Sequence, residues 1–186
     1  MENDFHGDEK RFAERLQLVV TRDATALAQE LFGARFGQPF PTPRLQSGLS
    51  IPTPPENWRQ MVARYAWSEA RVETIGFCNW IRFGDAYLAG GLCVREGFYR
   101  RLPREDWREC RNRGGIAQIM LTAARSALND RKALFGYVGD RKSMAVSLRC
   151  GYERTQHPHL IVNWLQALSP DEKATLISTV AAIGPF

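Results

Sequence analysis

No two cysteines of this 186-residue sequence form a C-x-x-C pair: Cys78, Cys93, Cys110 and Cys150 are scattered. Its three histidines, His6, His157 and His159, are not spaced with them as zinc ligands would be. A disulfide or zinc scaffold is therefore not expected, and the thiols are read as reduced and mostly buried. No window reaches the roughly 20 apolar residues that a membrane helix needs. The opening MENDFHGDEKR is polar and acidic, unlike a secretory leader. These absences predict a soluble, cytoplasmic chain with no membrane partner. Two phosphate-binding signatures are also missing, G-x-x-x-x-G-K-[ST] and G-x-G-x-x-G.

What is present is ordinary globular composition, 44% apolar and 24% charged, with a net charge of +5. Such a chain is long enough for one domain with a real core. The mild basicity fits an anionic small ligand or a nucleic acid, or simply solubility. Nothing in the sequence specifies an oligomer.

Residues 1–10 are polar and read as frayed. Phe12–Val20 fits either a helix face or a buried strand. Asp23 is a candidate cap for a helix through Ala24, Leu27, Ala28, Leu31 and Phe32, ended by Gly33 and Gly37. Residues 38–55 carry six prolines and read as a surface loop. Pro55 precedes an expected short helix through Trp58, Met61, Val62 and Tyr65. Val72–Arg82 and Ala86–Val94 read as a hairpin, with Gly90-Gly91 marking a bulge or a close backbone approach. Residues 95–113 form a polar excursion with seven arginines against four acids, Phe98, Tyr99 and Trp107 interleaved, and a short helix expected from Pro103. A helix follows from Ile116 to about Leu128, then a strand over Leu134–Val138 and a helix containing Met144 and Leu148, ended by Gly151. His159–Leu165 reads as a strand. Ser169-Pro170-Asp171-Glu172 is a capping box that starts a last helix. The order is that of an α/β fold, a mixed sheet covered by helices.

Arg111-Asn112-Arg113-Gly114-Gly115-Ile116-Ala117 stands at the mouth of one of these helices. The first N–H groups of a helix lack partners, and the macrodipole is positive there. Glycines remove side chains that would hold a ligand away, so the stretch reads as a site for phosphate. A loop glycine pair ahead of a core helix is the plain alternative.

One strand downstream lies Asp140-Arg-Lys-Ser143-Met-Ala-Val-Ser147-Leu-Arg-Cys-Gly151-Tyr152. Together the two stretches resemble the GNAT superfamily of acyl-CoA-dependent N-acyltransferases. That family carries [QR]-x-x-G-x-[GA] before one helix and N-x-x-A-x-x-x-Y-x-x-x-G-F in the next. Asn112-x-x-Gly115-x-Ala117 takes the first place; Asp140, Ser143, Ser147, Gly151 and Tyr152 fall on the second. The resemblance covers roughly residues 70–165. It implies a single domain over 1–186, with a variable part over 1–69, a core over 70–165 and a C-terminal helix over 169–184. The implied sheet is mixed, mostly antiparallel and flanked by helices.

The resemblance also implies a mechanism. The donor would be acetyl-CoA or a short acyl-CoA, with its pyrophosphate on the amides of Arg113, Gly114, Gly115, Ile116, Ala117 and Gln118, helped by Arg111 or Arg113. Asn112, Asp140 and Ser143 are motif positions of the same site. The pantetheine arm would run between strands that splay apart near Val94 and Val138. A backbone N–H near Leu92–Val94 would polarise the thioester, and a primary amine on a small molecule, peptide or modified nucleotide would attack directly. Three positions depart from the family: Asn112 replaces Gln or Arg, Asp140 replaces Asn, and Ser147 stands where many members carry the tyrosine that protonates the thiolate.

Glu73 and Glu96 are candidate general bases, each against the alternative of a solvent-facing residue. Cys93 reads as a packed thiol, Tyr152 as a core aromatic, and His157 and His159 as loop residues. The arginine-rich excursion reads either as a loop paired with its own acids or as a surface for nucleic acid, an acidic substrate, the 3′-phosphate of CoA or a protein partner. A GNAT-like chain that has lost catalysis and serves binding or assembly is the alternative function.

Overall fold

The computed structural model describes residues 11–37 and 57–186; the expectations for residues 1–10 and the proline-rich 38–55 lie outside them. Seven strands form one sheet in the order β1-β2-β3-β4-β5-β7-β6. They are β1 (Leu16–Thr21), β2 (Trp58–Ser68), β3 (Arg71–Phe83), β4 (Ala86–Val94), β5 (Ala133–Tyr137), β6 (Glu153–Arg154) and β7 (Leu160–Trp164). Every pairing is antiparallel except β4 with β5. The sheet is thus mixed, mostly antiparallel and flanked by helices, as the resemblance implies.

The helices are α1 (Phe12–Arg15), α2 (Thr25–Phe36), α3 (Phe98–Arg101), α4 (Arg104–Asn112), α5 (Ile116–Ala127), α6 (Arg141–Arg149) and α7 (Pro170–Ala181). On one face, Ile116, Met120 and Ala124 of α5 pack on Met61, Ala63, Tyr65, Cys78 and Trp80. On the other face, Ala28 and Leu31 of α2 pack on Val62, Phe77 and Cys93, and Val180 of α7 packs on Ala86, Leu88, Phe135 and Val162. The sheet is buried on both sides at its centre, which is why β4 reads as a nearly continuous apolar run.

Several local expectations need correction. Trp58–Tyr65 is not a helix but the first part of β2: Met61, Ala63 and Tyr65 face α5, while Val62 faces α2. Phe12–Val20 is both things in turn, one helical turn and then a strand. Helix α2 has Ala24 rather than Asp23 at its N-cap and no side-chain cap. It runs through Gly33 to end at Gly37, whose φ of 66° is the left-handed conformation glycine tolerates. The arginine-rich excursion does hold the helix expected from Pro103, as α4, and adds the short α3 before it. Its inner face is fixed by Cys110 in the core and by Asp106, which is buried and accepts the Tyr65 hydroxyl, with Arg15 Nε at 3.8 Å. Burial and the Asp106 carboxylate push the Tyr65 phenol far above its usual range, so it stays a donor.

The hairpin, the bulge and α7 stand as read. Asn79 pairs with Gly91 and Trp80 with Ala89, so Gly90 is the extra residue of the bulge. A Cβ on Gly90 would lie 3.0 Å from Asn79 Nδ2, so the Asn79 carboxamide fills the place a side chain would take. Ser169 Oγ accepts from Glu172 N while Glu172 reaches back to Ser169 N, the reciprocal cap of α7. All four cysteines are free and buried.

Candidate active site

Strands β4 and β5 run parallel only from Ala86–Ala89 against Ala133–Gly136. Beyond that point they diverge. Tyr137 pairs with Leu160, and Val138 N donates to His159 O at 2.9 Å, so this end of β5 is drawn toward β7. The bulge at Gly90 lies where β4 departs. Between the two strands lies a cavity of about 320 Å³, lined by Gly91 and Leu92, by Gly136 and Val138, by Ala117 of α5 and by Ser143 and Ser147 of α6. It shares Leu92, Asp140, Lys142 and Ser143 with an outer cavity of about 620 Å³, which adds Val94, Arg95, Glu96, Tyr99 and Arg100. A groove thus enters from the solvent between the end of β4 and the first turn of α6.

The start of α5 forms one wall. Gly114 and Gly115, with φ of 82° and 87°, make the turn from α4. Three amides of this turn are engaged by α4 itself: Arg113 N donates to Glu109 O, Gly114 N to Arg111 O and Gly115 N to Cys110 O. The Ile116 amide donates to the Tyr99 hydroxyl at 3.1 Å. Among the described residues nothing accepts from the amides of Ala117 and Gln118, and Ala117 lines the groove. The glycines admit the chain's own side chains. A Cβ on Gly115 would stand 3.2 Å from Tyr99 Oη, and one on Gly114 2.1 Å from Gln118 Oε1. Arg149 Nε donates to that same Gln118 oxygen at 3.0 Å.

The other wall begins at Asp140. This residue is the N-cap of α6, and its Oδ1 accepts from Lys142 N and Ser143 N at 2.9 Å each. Bonds from Ser143, side chain and backbone, hold its carboxyl below the usual range. The acid is therefore engaged by its own helix.

The remaining candidates separate into two groups. Glu96, Leu92, Val94, Ser143 and Ser147 border the groove. Ser147 is buried, at 6% exposure, where the helix faces the inner cavity. Glu73 borders neither cavity. It takes two bonds from Arg101, at 2.8 and 2.9 Å, one from Trp67 Nε1 at 2.8 Å, and has Arg95 Nε at 3.3 Å. Arg101 above all keeps its carboxyl below the ordinary range, so the group is an anchored anion. Arg111 and Arg113 also lie outside both cavities. Arg113 pairs with Glu109 at 2.6 Å, and Arg111 sits 5.2 Å over the Trp107 ring. Asn112 is exposed at the end of α4.

The groove's cations are instead Arg95 and Arg100, from the arginine-rich excursion, and Lys142, which sequence reasoning did not single out. Lys142 had a usable signal, a cation in the first turn of a helix that already carried two motif residues. Cys93 borders the outer cavity, but burial raises its thiol to about 11, too protonated for a nucleophile near neutrality.

No family model matches the sequence, and no curated protein does. Solved structures do match. The chain aligns with a proposed N-acetyltransferase from Lactobacillus plantarum at a TM-score of 0.51 and 14% identity, over 81% of this chain and 99% of that one. A chimera of the Vibrio cholerae spermidine N-acetyltransferase SpeG and hSSAT aligns at a TM-score of 0.51 and 11% identity, over 81% and 96%. At such identities the likeness is one of fold, and this chain has a GNAT-like fold.

Proposed function

We propose that this protein is an N-acyltransferase that moves an acetyl or short acyl group from acyl-CoA to a primary amine by direct attack. The divergence of β4 and β5 after Ala89 and Gly136 carries this reading. Two strand edges that have lost each other can instead bond an extended, amide-bearing arm such as pantetheine. The groove between them has the first turns of α5 and α6 as its walls.

The chain's residues then divide the work. The amides of Ala117 and Gln118, at the positive end of α5, hold the diphosphate, with Arg100 and Lys142 as counter-charges in place of Arg111 and Arg113. The backbone around the bulge, at Gly91 and Leu92, offers an N–H to the thioester oxygen as negative charge develops there. Glu96, at the groove, takes the proton that the amine loses as its nitrogen bonds to the acyl carbon and the C–S bond breaks. Ser147, which lines the inner cavity, offers its hydroxyl to the departing thiolate, where a tyrosine stands in many family members. The acceptor is an amine on a small molecule or peptide.

A second reading has its own observation. Tyr99 already occupies the Ile116 amide, and Gln118 covers Gly114, so part of the phosphate loop is satisfied by the protein. That favours a GNAT-like chain that binds without catalysis.

Calorimetric titration with CoA and acetyl-CoA, followed by a thiol-release assay over a panel of primary amines, separates the two. Binding with saturable thiol release supports the enzyme, and binding without release on any amine supports the second reading. If a folded sample binds neither CoA species, both fall.

A further inference from the structure

The groove leaves most of the arginine-rich segment unexplained. Of its arginines, Arg95 and Arg101 are tied to Glu73 and Arg113 to Glu109. Arg100, Arg104, Arg108 and Arg111 form no ion pair among the described residues, and all four are exposed. At 3.6 residues per turn, Arg104, Arg108 and Arg111 of α4 share one arc of about 100° with Trp107. Asp106 and Cys110 point the opposite way into the core, and Glu105 and Glu109 lie on the flank. The arc carries no acid. Trp107 is 38% exposed, and the Arg111 guanidinium stacked on it keeps the ring in place. Arg100 and Tyr99, itself 38% exposed, continue the surface to the mouth of the groove.

We propose that this face of α4 binds single-stranded nucleic acid, with Arg104, Arg108 and Arg111 on the phosphates and Trp107 as a stacking platform for a base. Charge alone would fit any polyanion. The half-exposed indole among guanidiniums decides between partners, because an acidic peptide offers nothing to stack on it while every base has a flat face. The face stands on a rigid base: Asp106 and Cys110 hold α4 to the body of the protein, so little order is lost on binding. The arc residues line neither cavity, so the surface is separate from the groove that would take a CoA.

The test is fluorescence anisotropy with a labelled, mixed-sequence single-stranded RNA of about twelve nucleotides, within the usual site size. Binding should weaken with salt. In the triple variant Arg104→Gln, Arg108→Gln, Arg111→Gln, the slope of log K against log salt should fall by about 2, at roughly 0.7 per lost phosphate contact. Trp107→Ala should weaken binding about fivefold or more through lost stacking, while Arg154→Gln, away from the face, should change nothing. Thermal melts of each variant check folding. No RNA binding overturns the proposal. Equal affinity for polyglutamate with no effect of Trp107→Ala assigns the face to an acidic protein instead, and full displacement of RNA by saturating CoA assigns it to the CoA nucleotide. Either result overturns it too.

Discussion

Replacing Tyr99 with Phe should move stability and CoA affinity in opposite directions. The Tyr99 hydroxyl accepts the Ile116 amide at 3.1 Å, and Ile116 is fully buried. Removing the oxygen leaves a buried N–H without a partner, at a cost of about 1–3 kcal/mol. For a chain of this size that lowers Tm by roughly 2–10 °C. The same change frees an amide at the positive end of α5. If a diphosphate settles on this helix start, it gains a charge-assisted bond of about 1.5–3 kcal/mol, and Kd falls about tenfold or more. Saturating CoA should therefore narrow the Tm gap between the variant and the parent. Calorimetry at low salt measures the affinity, and melts with and without CoA measure the gap. A lower Tm with an unchanged or weaker Kd would refute the reasoning: the diphosphate would not lie on the Ile116 amide, and the glycine turn would serve only to join α4 to α5.

Other changes probe the groove and its walls. Gly136→Leu should cut CoA affinity by about tenfold, since Gly136 lines the inner cavity and a Cβ there already stands 3.4 Å from Ile161; an unchanged titration would place the ligand elsewhere. Asp140→Ala removes the cap of α6 and should cost about 1 kcal/mol, seen in a urea melt. The depressed carboxyls of Asp140 and Glu73 favour the folded state above their unfolded pKa of about 4, and this contribution fades as pH falls through their lower folded values. Acid melts should show the loss beginning near pH 4, and Glu73→Gln should flatten that limb of the stability profile. Cys93→Ser should leave thiol release unchanged, because the Cys93 thiol, raised to about 11, is protonated at assay pH; a large loss of turnover would restore a nucleophilic role.

The sequence was most legible where a local pattern and its tertiary use coincide. The capping box of α7, the hairpin of β3 and β4 and the bulge at Gly90 depend on neighbours in the chain, and each stands as read. Strand β2 was hidden because both its faces are covered. With Met61, Ala63 and Tyr65 packed toward α5 and Val62 toward α2, its apolar residues no longer alternate with polar ones, and the spacing of Trp58, Met61, Val62 and Tyr65 imitates a helix. Helix α4 was legible only as a short helix from Pro103 for the opposite reason: one of its two core positions is a carboxylate. Asp106 is tolerable there because Tyr65, 41 residues earlier, donates to it and Arg15 Nε stands 3.8 Å away.

The candidate site shows the same division. Asp140 and Ser143 lie within one helix turn of each other, so their spacing carried them to the groove. The cations did not follow spacing. Arg101 is withdrawn by Glu73 from a strand 28 residues away and Arg113 by Glu109 one turn back, while Arg111 lies over the Trp107 ring on the outer face of α4, away from the groove. Seven arginines near a glycine turn suggest that the nearest ones serve it, yet Arg111 and Arg113, beside the turn, are engaged on α4. Arg100, more distant in sequence, reaches the groove because α3 ends beside the mouth that β4 and α6 leave open. Charge next to a motif thus says little about which cation serves it until the acids and rings that compete for each guanidinium are known.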